Sequence, residues 1–281
     1  MSRLEENNVR LPERVRNQQM SIGNYVRMNT EINNKGYIDE NKMPTNMRFL
    51  VLNIKGIDPE SIMKIERFII SIQKYQIDMM LLNEVNVKWT PVNIDRMEHR
   101  LKVLGRETKM ITADSTVWLV MKDSYLPGGL LTILRGKFRS LIDEESIKKG
   151  KLGNWIGVTI RHNGKAVLII NIHRIPNTLQ QGPKRCLTQY NILEENTKSS
   201  SDIRRDTLNQ IKQYINERND IDDIIIAGDL NESVNSKEIR KFFTEIGIED
   251  VHSRINNIPL DKMDKTFVNG SNPIDTFAIS E

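Results

Sequence analysis

The most informative feature of this sequence is a set of polar residues placed where short apolar segments end or are interrupted. The set comprises Asn53, Glu84, His173, Asp229, Asn231 and Asp275. Each belongs to a segment with the composition of a buried strand, and strand ends of α/β domains are common ligand sites. Because an unpaired buried carboxylate is costly, the three acids need a metal ion, a partner or water.

A convergence of these residues would form a cluster of carboxylates and amides without a thiolate. Such hard oxygen ligands favour Mg²⁺, or Mn²⁺, over zinc. Taken singly, each residue has a simpler interpretation. These are a turn for Asn53, a solvated loop carboxylate for Glu84, a structural histidine for His173, a turn for Asp229 and Asn231, and a cap or ion pair for Asp275. Their shared position at strand ends favours a common site.

The elements that must position these residues follow from apolar periodicity. Strands are predicted over residues 47–54, 77–82, 116–121, 128–134, 155–161, 166–172, 224–228 and 274–279. Asn163-Gly164 is typical of a tight hairpin turn. Helices are predicted from Asp58-Pro59 onward, around 203–215 and over 237–246. Mixed strands and helices with central hairpins predict one domain of packed sheets with helices outside.

The bulk composition excludes several classes of protein. The chain has 281 residues, with 38% hydrophobic and 28% charged residues, which is typical of a soluble globular domain. The single cysteine, Cys186, excludes an intrachain disulfide. No apolar run reaches the roughly 18 residues of a membrane-spanning helix. We therefore expect a protein of a reducing intracellular compartment, the nucleus included, with no membrane partner.

Charge and texture divide the chain into two parts. Residues 1–45 are polar and aperiodic, which predicts a flexible leader before a domain over 46–281. The net charge of +4 suits a nucleic-acid partner without requiring one. The basic segments 148–151 and Arg204-Arg205 are interpreted as solvated faces rather than phosphate contacts. The tryptophans at 89, 118 and 155 are interpreted as core or edge packing.

Five short motifs together resemble the endonuclease/exonuclease/phosphatase superfamily over about residues 47–281. They are LNIKG at 52–56, LLNE at 81–84, NIHRIPN at 171–177, GDLN at 228–231 and Ile274-Asp275. Each motif is weak alone, and GDLN is the most specific. Their shared order and spacing carry the resemblance.

The resemblance implies an α/β (α+β) fold, a four-layered sandwich of two packed, largely antiparallel β-sheets flanked by helices (DNase-like). It implies that Glu84 holds the metal with Asn53 and Asp275 nearby. It also implies that Asp229 orients the attacking water, and that Asn231 and His173 contact the phosphate.

The sequence departs from the family pattern at three places. His173 stands where many relatives carry tyrosine, and Lys55 stands where some carry an acid. The family's final serine-aspartate-histidine motif is missing after Asp275, and His252 precedes that strand, so it cannot replace the motif. We therefore expect either a domain truncated at its C-terminal end, before its last catalytic histidine, or a protein that lacks this catalytic partner.

Three functions fit these motifs. The first is a Mg²⁺-dependent phosphodiesterase that nicks DNA, of the retrotransposon type, with a reverse-transcriptase domain downstream. Gly128-Gly129 and Gly153-Asn154-Trp155, each before a predicted strand, favour this type. The second is a phosphatase acting on a small phosphorylated molecule or lipid head group. The third is a non-catalytic nucleic-acid-binding remnant.

Overall fold

The computed structural model describes residues 42, 47–60, 62–105, 107–114, 128–176, 200–262 and 275–280. Within them the strands are β1 (Phe49–Asn53), β2 (Met79–Asn83), β3 (Thr108–Ala113), β4 (Leu130–Arg135), β5 (Ile142–Lys149), β6 (Trp155–His162), β7 (Lys165–His173), β8 (Asp223–Asp229), β9 (Ile248–Asp250) and β10 (Asp275–Ser280). The α-helices are α1 (Ile62–Lys74), α2 (Pro91–Leu101), α3 (Ser200–Asn216), α4 (Lys237–Ile246) and α5 (Val251–Asn256). None of the helices described here is long and apolar enough to span a bilayer.

The first sheet has four strands in the order β1-β2-β4-β3. β1 and β2 are parallel, with α1 in the connection between them, whereas the other two pairs are antiparallel. All five residues of β2 are buried because helices cover one face and the second sheet covers the other. This explains why β2 reads as a continuous apolar run that ends in Asn83.

The second sheet has six strands in the order β5-β6-β7-β8-β10-β9. β7 and β8 are parallel, and the remaining pairs are antiparallel. The β6–β7 hairpin turns at Asn163 (φ 51°) and Gly164 (φ 76°), both left-handed, as the Asn-Gly pair predicts.

Three apolar layers hold the two sheets and their helices together. The central layer lies between the sheets and includes Phe49 and Phe277, whose rings meet edge to face with centroids 5.4 Å apart. A second layer packs α1 and α2 on the first sheet, and a third packs α3 and α4 on the second. The order of layers is helix, sheet, sheet, helix, which confirms the predicted DNase-like α/β sandwich.

Several local predictions need correction. Strands β3 and β5 and helix α2 were not predicted, because their apolar residues are too few to show a clear period. Helix α1 begins at Ile62 rather than Pro59, and the Glu60 N–H donates to Asp58 Oδ1 at 2.8 Å in the turn before it. Arg204 is 4% exposed rather than solvated, and it bonds the carbonyl of Ile175.

Other predictions meet the structure in part. Trp89 and Trp155 are buried, which confirms the packing interpretation for these two tryptophans. Lys42 lies in the predicted leader, and its ammonium group pairs with Asp78. The other leader residues lie outside the described part of the chain. The same holds for the predicted strand over 116–121, which includes Trp118, and for Cys186.

Candidate functional site

The first sheet brings two of the predicted residues to one edge. Asn53 is the last residue of β1, and Glu84 directly follows β2. Because these strands are parallel and adjacent, with Asn53 opposite Asn83, both side chains belong to the same end of the sheet. Glu84 has a left-handed backbone (φ 50°), which turns the chain away from the strand direction at this point.

The second sheet brings the other predicted residues to its facing edge. His173 ends β7 and Asp229 ends β8, and these parallel strands pair the two residues directly. Asn231 lies two residues beyond Asp229. Asp275 begins β10, and its backbone pairs with that of Asp229. The side chain of Asp275 lies outside the described part of the structure, so its predicted role as a metal ligand stays a prediction.

The two edges meet at contact distance. Ligand atoms of Glu84, His173 and Asp229 all lie within 4.8 Å of one another. His173 Nε2 is 3.4 Å from Glu84 Oε1, and Asn53 Nδ2 donates to Asp229 Oδ2 at 3.1 Å. Both contacts join a residue of the first sheet to a residue of the second. The cluster therefore exists only because the sheets pack face to face.

Asn231 is held by the turn that follows Asp229. Its backbone N–H donates to Asp229 Oδ1 at 2.8 Å, and its side-chain amide donates to the carbonyl of Arg174 at 2.7 Å. The same Nδ2 is 3.4 Å from His173 Nε2. Its backbone is left-handed (φ 48°), a conformation that asparagine tolerates better than most residues. These contacts place the Asn231 amide next to the His173 imidazole in the cluster.

The pKa values of the two carboxylates in the cluster are shifted in opposite directions. Burial raises the pKa of Asp229, and the charge of Glu84 adds to that increase against the opposing effects of His173, Asn231 and Asn53. Burial also raises the pKa of Glu84, but the hydrogen bond and charge of His173, with smaller effects of Asn53 and Lys55, lower it below its ordinary value overall. Glu84 is thus the more readily ionised of the two.

The cluster has the donor chemistry of a divalent-cation site. Glu84 and Asp229 offer carboxylate oxygens and His173 offers a ring nitrogen, and these three ligand atoms are close enough to reach one ion. This oxygen-rich set fits Mg²⁺ or Mn²⁺. The cluster differs from the predicted ligand set, because it joins Glu84 to His173 and Asp229, to which the resemblance gives catalytic roles.

Gly228 explains why the GDLN motif begins with glycine. Its φ is 147°, and a Cβ at this position would lie 1.9 Å from the carbonyl oxygen of Ile172 in β7. No side chain fits there without separating β7 from β8. The glycine lets these strands pair closely, and it thereby places His173 opposite Asp229.

Sequence reasoning missed a buried amide pair beneath the site. Asn83 and Asn171 are 0% and 1% exposed, and Asn83 Nδ2 donates to Asn171 Oδ1 at 2.7 Å. Both lie inside quoted motifs, directly before Glu84 and two residues before His173. The available signal was a polar residue within an apolar strand, which usually demands a buried partner.

Sequence reasoning also missed an ion network behind Asn231. Arg174 is fully buried and pairs with Glu232 at 3.0 Å and with Glu238 at 2.8 Å. Arg204 also pairs with Glu232 and donates to the carbonyl of Asn231 at 3.3 Å. The network connects the chain after β7, the chain after β8 and helix α3. The adjacency of Arg174 to His173 was the only hint of it in the sequence.

Comparisons with known proteins agree with the observed fold. No protein-family model and no curated protein matches the chain significantly. Among solved structures, AP endonuclease LMAP from Leishmania major is 12% identical with a TM-score of 0.57, covering 97% of this chain and 91% of that one. The human Nocturnin catalytic domain is 13% identical with a TM-score of 0.49, covering 84% of this chain and 83% of that one.

A third similar structure carries the superfamily name in its description. It is an endonuclease/exonuclease/phosphatase family protein from Leptotrichia buccalis, 14% identical with a TM-score of 0.47, covering 84% of this chain and 88% of that one. At such low identities the likeness concerns the fold alone, and of these three structures the Leishmania one shares it at a TM-score above 0.5. The chain therefore has the fold of the Leishmania AP endonuclease structure.

Proposed function

We propose that this protein is a Mg²⁺-dependent phosphodiesterase that cleaves a DNA backbone by hydrolysis. The observation that carries the proposal is the convergence of Glu84, His173 and Asp229 from three strands of two sheets, with their ligand atoms within 4.8 Å of one another. Asn53 and Asn231 bond Asp229 in the same cluster. Carboxylates, amides and an imidazole in one cleft are the groups that phosphodiester hydrolysis needs.

Glu84 is the proposed principal metal ligand, with Asn53 and Asp275 beside it. Its lowered pKa and its partly exposed side chain suit a carboxylate that stays ionised and accessible. A bound Mg²⁺, or Mn²⁺ in its place, would neutralise charge on the scissile phosphate. Lys55 is exposed, and its positive charge contributes to lowering the pKa of this carboxylate.

Asp229 is the proposed group that orients and deprotonates the attacking water. It is buried, and two hydrogen bonds fix its carboxylate, from Asn53 Nδ2 at 3.1 Å and the Asn231 N–H at 2.8 Å. Asn231 and His173 then donate hydrogen bonds to the phosphate oxygens as charge develops on them. His173 Nε2 lies 3.4 Å from Glu84 Oε1, at the position from which a protonated imidazole would donate to the leaving oxygen.

DNA is the proposed substrate. The net charge of +4 is compatible with a polyanionic partner, although it does not distinguish DNA from a small phosphorylated substrate. The Leishmania structure with the same fold is described as an AP endonuclease, and we carry a nucleic-acid substrate over from it. A phosphatase acting on a small phosphorylated molecule and a non-catalytic DNA-binding protein are the competing outcomes of the test.

The test is nicking of supercoiled plasmid by the purified chain in the presence of Mg²⁺. Glu84→Gln removes the charge of the metal ligand, and we expect the rate to fall by about 10²–10³-fold. Glu145→Gln is the matched control, since this exposed β5 residue lies outside the cluster, and it should nick at the wild-type rate. Chelation should stop the reaction in every case.

The remaining outcomes separate the competing functions. Release of inorganic phosphate from an inositol phosphate panel without nicking would establish the phosphatase. Salt-sensitive DNA binding without release of product would establish the binding protein. Nicking that is unchanged by Glu84→Gln would overturn the site assignment while leaving nuclease activity in place.

We further propose that the nuclease belongs to a retrotransposon-type protein with a reverse-transcriptase domain downstream, acting on nuclear DNA. The proposal is supported by the glycine-containing segments before two predicted strands, Gly128-Gly129 and Gly153-Asn154-Trp155, together with the order of the motifs. Gly153 is left-handed (φ 64°), and a Cβ there would lie 2.3 Å from the backbone of Asp114, so the position requires glycine. Reading the coding sequence downstream tests this, because a reverse-transcriptase-like domain is expected there.

A further inference from the structure

A cluster of three buried polar side chains lies directly beneath the candidate site. Asn83, Asn171 and Thr132 are each at most 1% exposed. Asn83 Nδ2 donates to Asn171 Oδ1 at 2.7 Å, and Asn171 Nδ2 donates to Thr132 Oγ1 at 3.2 Å. Asn83 Nδ2 also donates to the carbonyl of Ile172 at 3.2 Å. We name Asn83 and Asn171 the amide clasp.

The amide clasp joins the two sheets. Asn83 ends β2 of the first sheet, and Asn171 lies in β7 of the second, 88 residues further along the chain. Thr132 is in β4, the neighbour of β2. The central layer around them consists of aliphatic and aromatic side chains. A directional polar contact thus spans a layer that is otherwise built from non-directional apolar contacts.

The positions of the clasp residues relate them to the site. Asn83 immediately precedes Glu84 in the chain, and Asn171 precedes His173 by two residues in the same strand. Apolar packing tolerates small shifts between sheets, because its energy depends on buried area rather than direction. Amide hydrogen bonds weaken steeply when distance or angle changes. The clasp therefore limits how far Glu84 can move relative to His173 and Asp229.

Stability alone does not explain the clasp. Among the described atoms, Asn83 Oδ1 is buried and has no hydrogen-bond partner. A buried acceptor without a donor is destabilising, and an apolar pair of similar shape would often hold the sheets at least as well. The benefit that offsets this cost is a defined register between the sheets at the point where the site is assembled.

We propose that Asn83 and Asn171 are positioning residues, which set the spacing between the first-sheet and second-sheet halves of the candidate metal site. The consequence for metal binding rests on the proposed function. The consequence for the geometry of the cluster does not, and it is measurable without metal or substrate.

The experiment compares four variants of the full chain with the wild type. Asn83→Leu and Asn171→Leu each remove one partner, and the double variant replaces both by apolar groups. Phe49→Leu is the control, since it perturbs the central layer beside Phe277 but lies four residues before Asn53, about 13 Å along β1. The first two readouts are the Mn²⁺ affinity and the unfolding midpoint. The third is the set of His173 resonances of the metal-free protein labelled with ¹⁵N-histidine, and the chain has four histidines in all.

If the clasp has a positioning role, the double variant should recover stability without recovering metal affinity. Each single variant should lose stability, and the double variant should recover much of it, because no buried partner is left unpaired between the two positions. The Mn²⁺ dissociation constant should rise about 10–100-fold in all three. The ring resonances of His173 should shift in Asn83→Leu, because the distance between its imidazole and Glu84 changes. The backbone amide of His173 is not used, since it belongs to the peptide group whose carbonyl Asn83 contacts. Phe49→Leu should change stability without either effect.

The opposing outcomes are distinct for the two proposals. If metal affinity recovers with stability in the double variant, or if His173 is unaffected by Asn83→Leu, the clasp is a structural contact and the positioning role is overturned. If the wild type fails to bind Mn²⁺ while the His173 resonances respond to Asn83→Leu, the proposed function fails and the geometric role of the clasp stands.

Discussion

The two sheets supply the candidate site in different ways. The first sheet presents Glu84 after its strand has ended, with a side chain that is 30% exposed and a left-handed backbone. The second sheet presents His173 and Asp229 within its hydrogen-bonded ladder, at 5% and 3% exposure. The first sheet therefore contributes an accessible ligand on a strained turn, and the second contributes buried groups on a rigid frame.

The elements behind the two halves differ as well. The second-sheet half is supported by a charged network of four residues, Arg174, Arg204, Glu232 and Glu238. Left-handed residues at Lys55, Glu84 and Asn86 shape the turns of the first-sheet half. Buried ion pairs thus support the second-sheet half, whereas the first-sheet half depends on the conformation of its turns. Substitutions on the second sheet should therefore cost the most stability.

The largest effect is expected for Gly228→Ala in the second sheet. The new Cβ would lie 1.9 Å from the Ile172 carbonyl oxygen, so β7 and β8 must separate. We expect a loss in the free energy of unfolding of about 4 kcal/mol or more, measured by denaturant titration. Gly164→Ala is the control, because its φ is also positive but its Cβ would meet nothing within 4 Å. Equal losses in both variants would contradict the argument.

A smaller but still large loss is expected for Arg174→Met. This change leaves Glu238 without its buried partner and leaves Glu232 with Arg204 alone, and breaking a buried ion pair typically costs about 3–5 kcal/mol. Arg254→Met removes an exposed pair with Glu249 at 4.0 Å and should cost about 0.5 kcal/mol or less. Thermal unfolding of both variants checks the contrast. A loss for Arg174→Met as small as that of Arg254→Met would show that the second-sheet frame does not depend on the network.

The two site carboxylates should respond to neutralisation with opposite signs in the metal-free protein. Burial raises the pKa of Asp229, so its contribution to stability is present below its unfolded pKa and is lost as pH rises through its folded pKa. Asp229→Asn should therefore gain stability relative to the wild type as pH rises from about 4 to about 7. It should also flatten the loss of stability with rising pH.

The pKa of Glu84 is lowered, because the His173 interactions outweigh burial. Its contribution is present above its unfolded pKa and is lost as pH falls through its folded pKa. Glu84→Gln should therefore lower stability at neutral pH by about 1 kcal/mol or less. Denaturant unfolding with a chelator, at about pH 7 and pH 4, measures both variants. The same sign for both would remove the contrast between the halves.

The smallest effect concerns the strained turn after β1. Lys55 has a φ of 50°, where a residue with a Cβ pays about 1 kcal/mol that glycine does not. Lys55→Gly should therefore be about 1 kcal/mol more stable than Lys55→Ala, since both remove the ammonium group and only one removes the strain. Chemical denaturation distinguishes them, and equal stabilities would indicate that this turn carries no strain.

Local patterns were enough to predict much of the fold. The apolar runs of β2, β7 and β8 were recognised because strands buried on both faces are apolar throughout. Helix α4 was predicted with its observed bounds, Lys237–Ile246, because Ser236 caps it and Gly247 ends it. Strand β5 was missed because Ile142–Lys149 is a half-exposed edge strand, whose neighbours, and not its own period, hold it in the sheet.

The chemical groups of the candidate site and their place at strand ends could be predicted from the sequence, because motif composition and apolar runs are local properties. The tertiary structure alone decided which groups meet. Asn53 and Asp229 are 176 residues apart in the chain and 3.1 Å apart in space. The amide clasp and the ion network of Arg174 likewise join distant segments. Such contacts depend on the packing of one sheet against the other, and no local pattern encodes that distance.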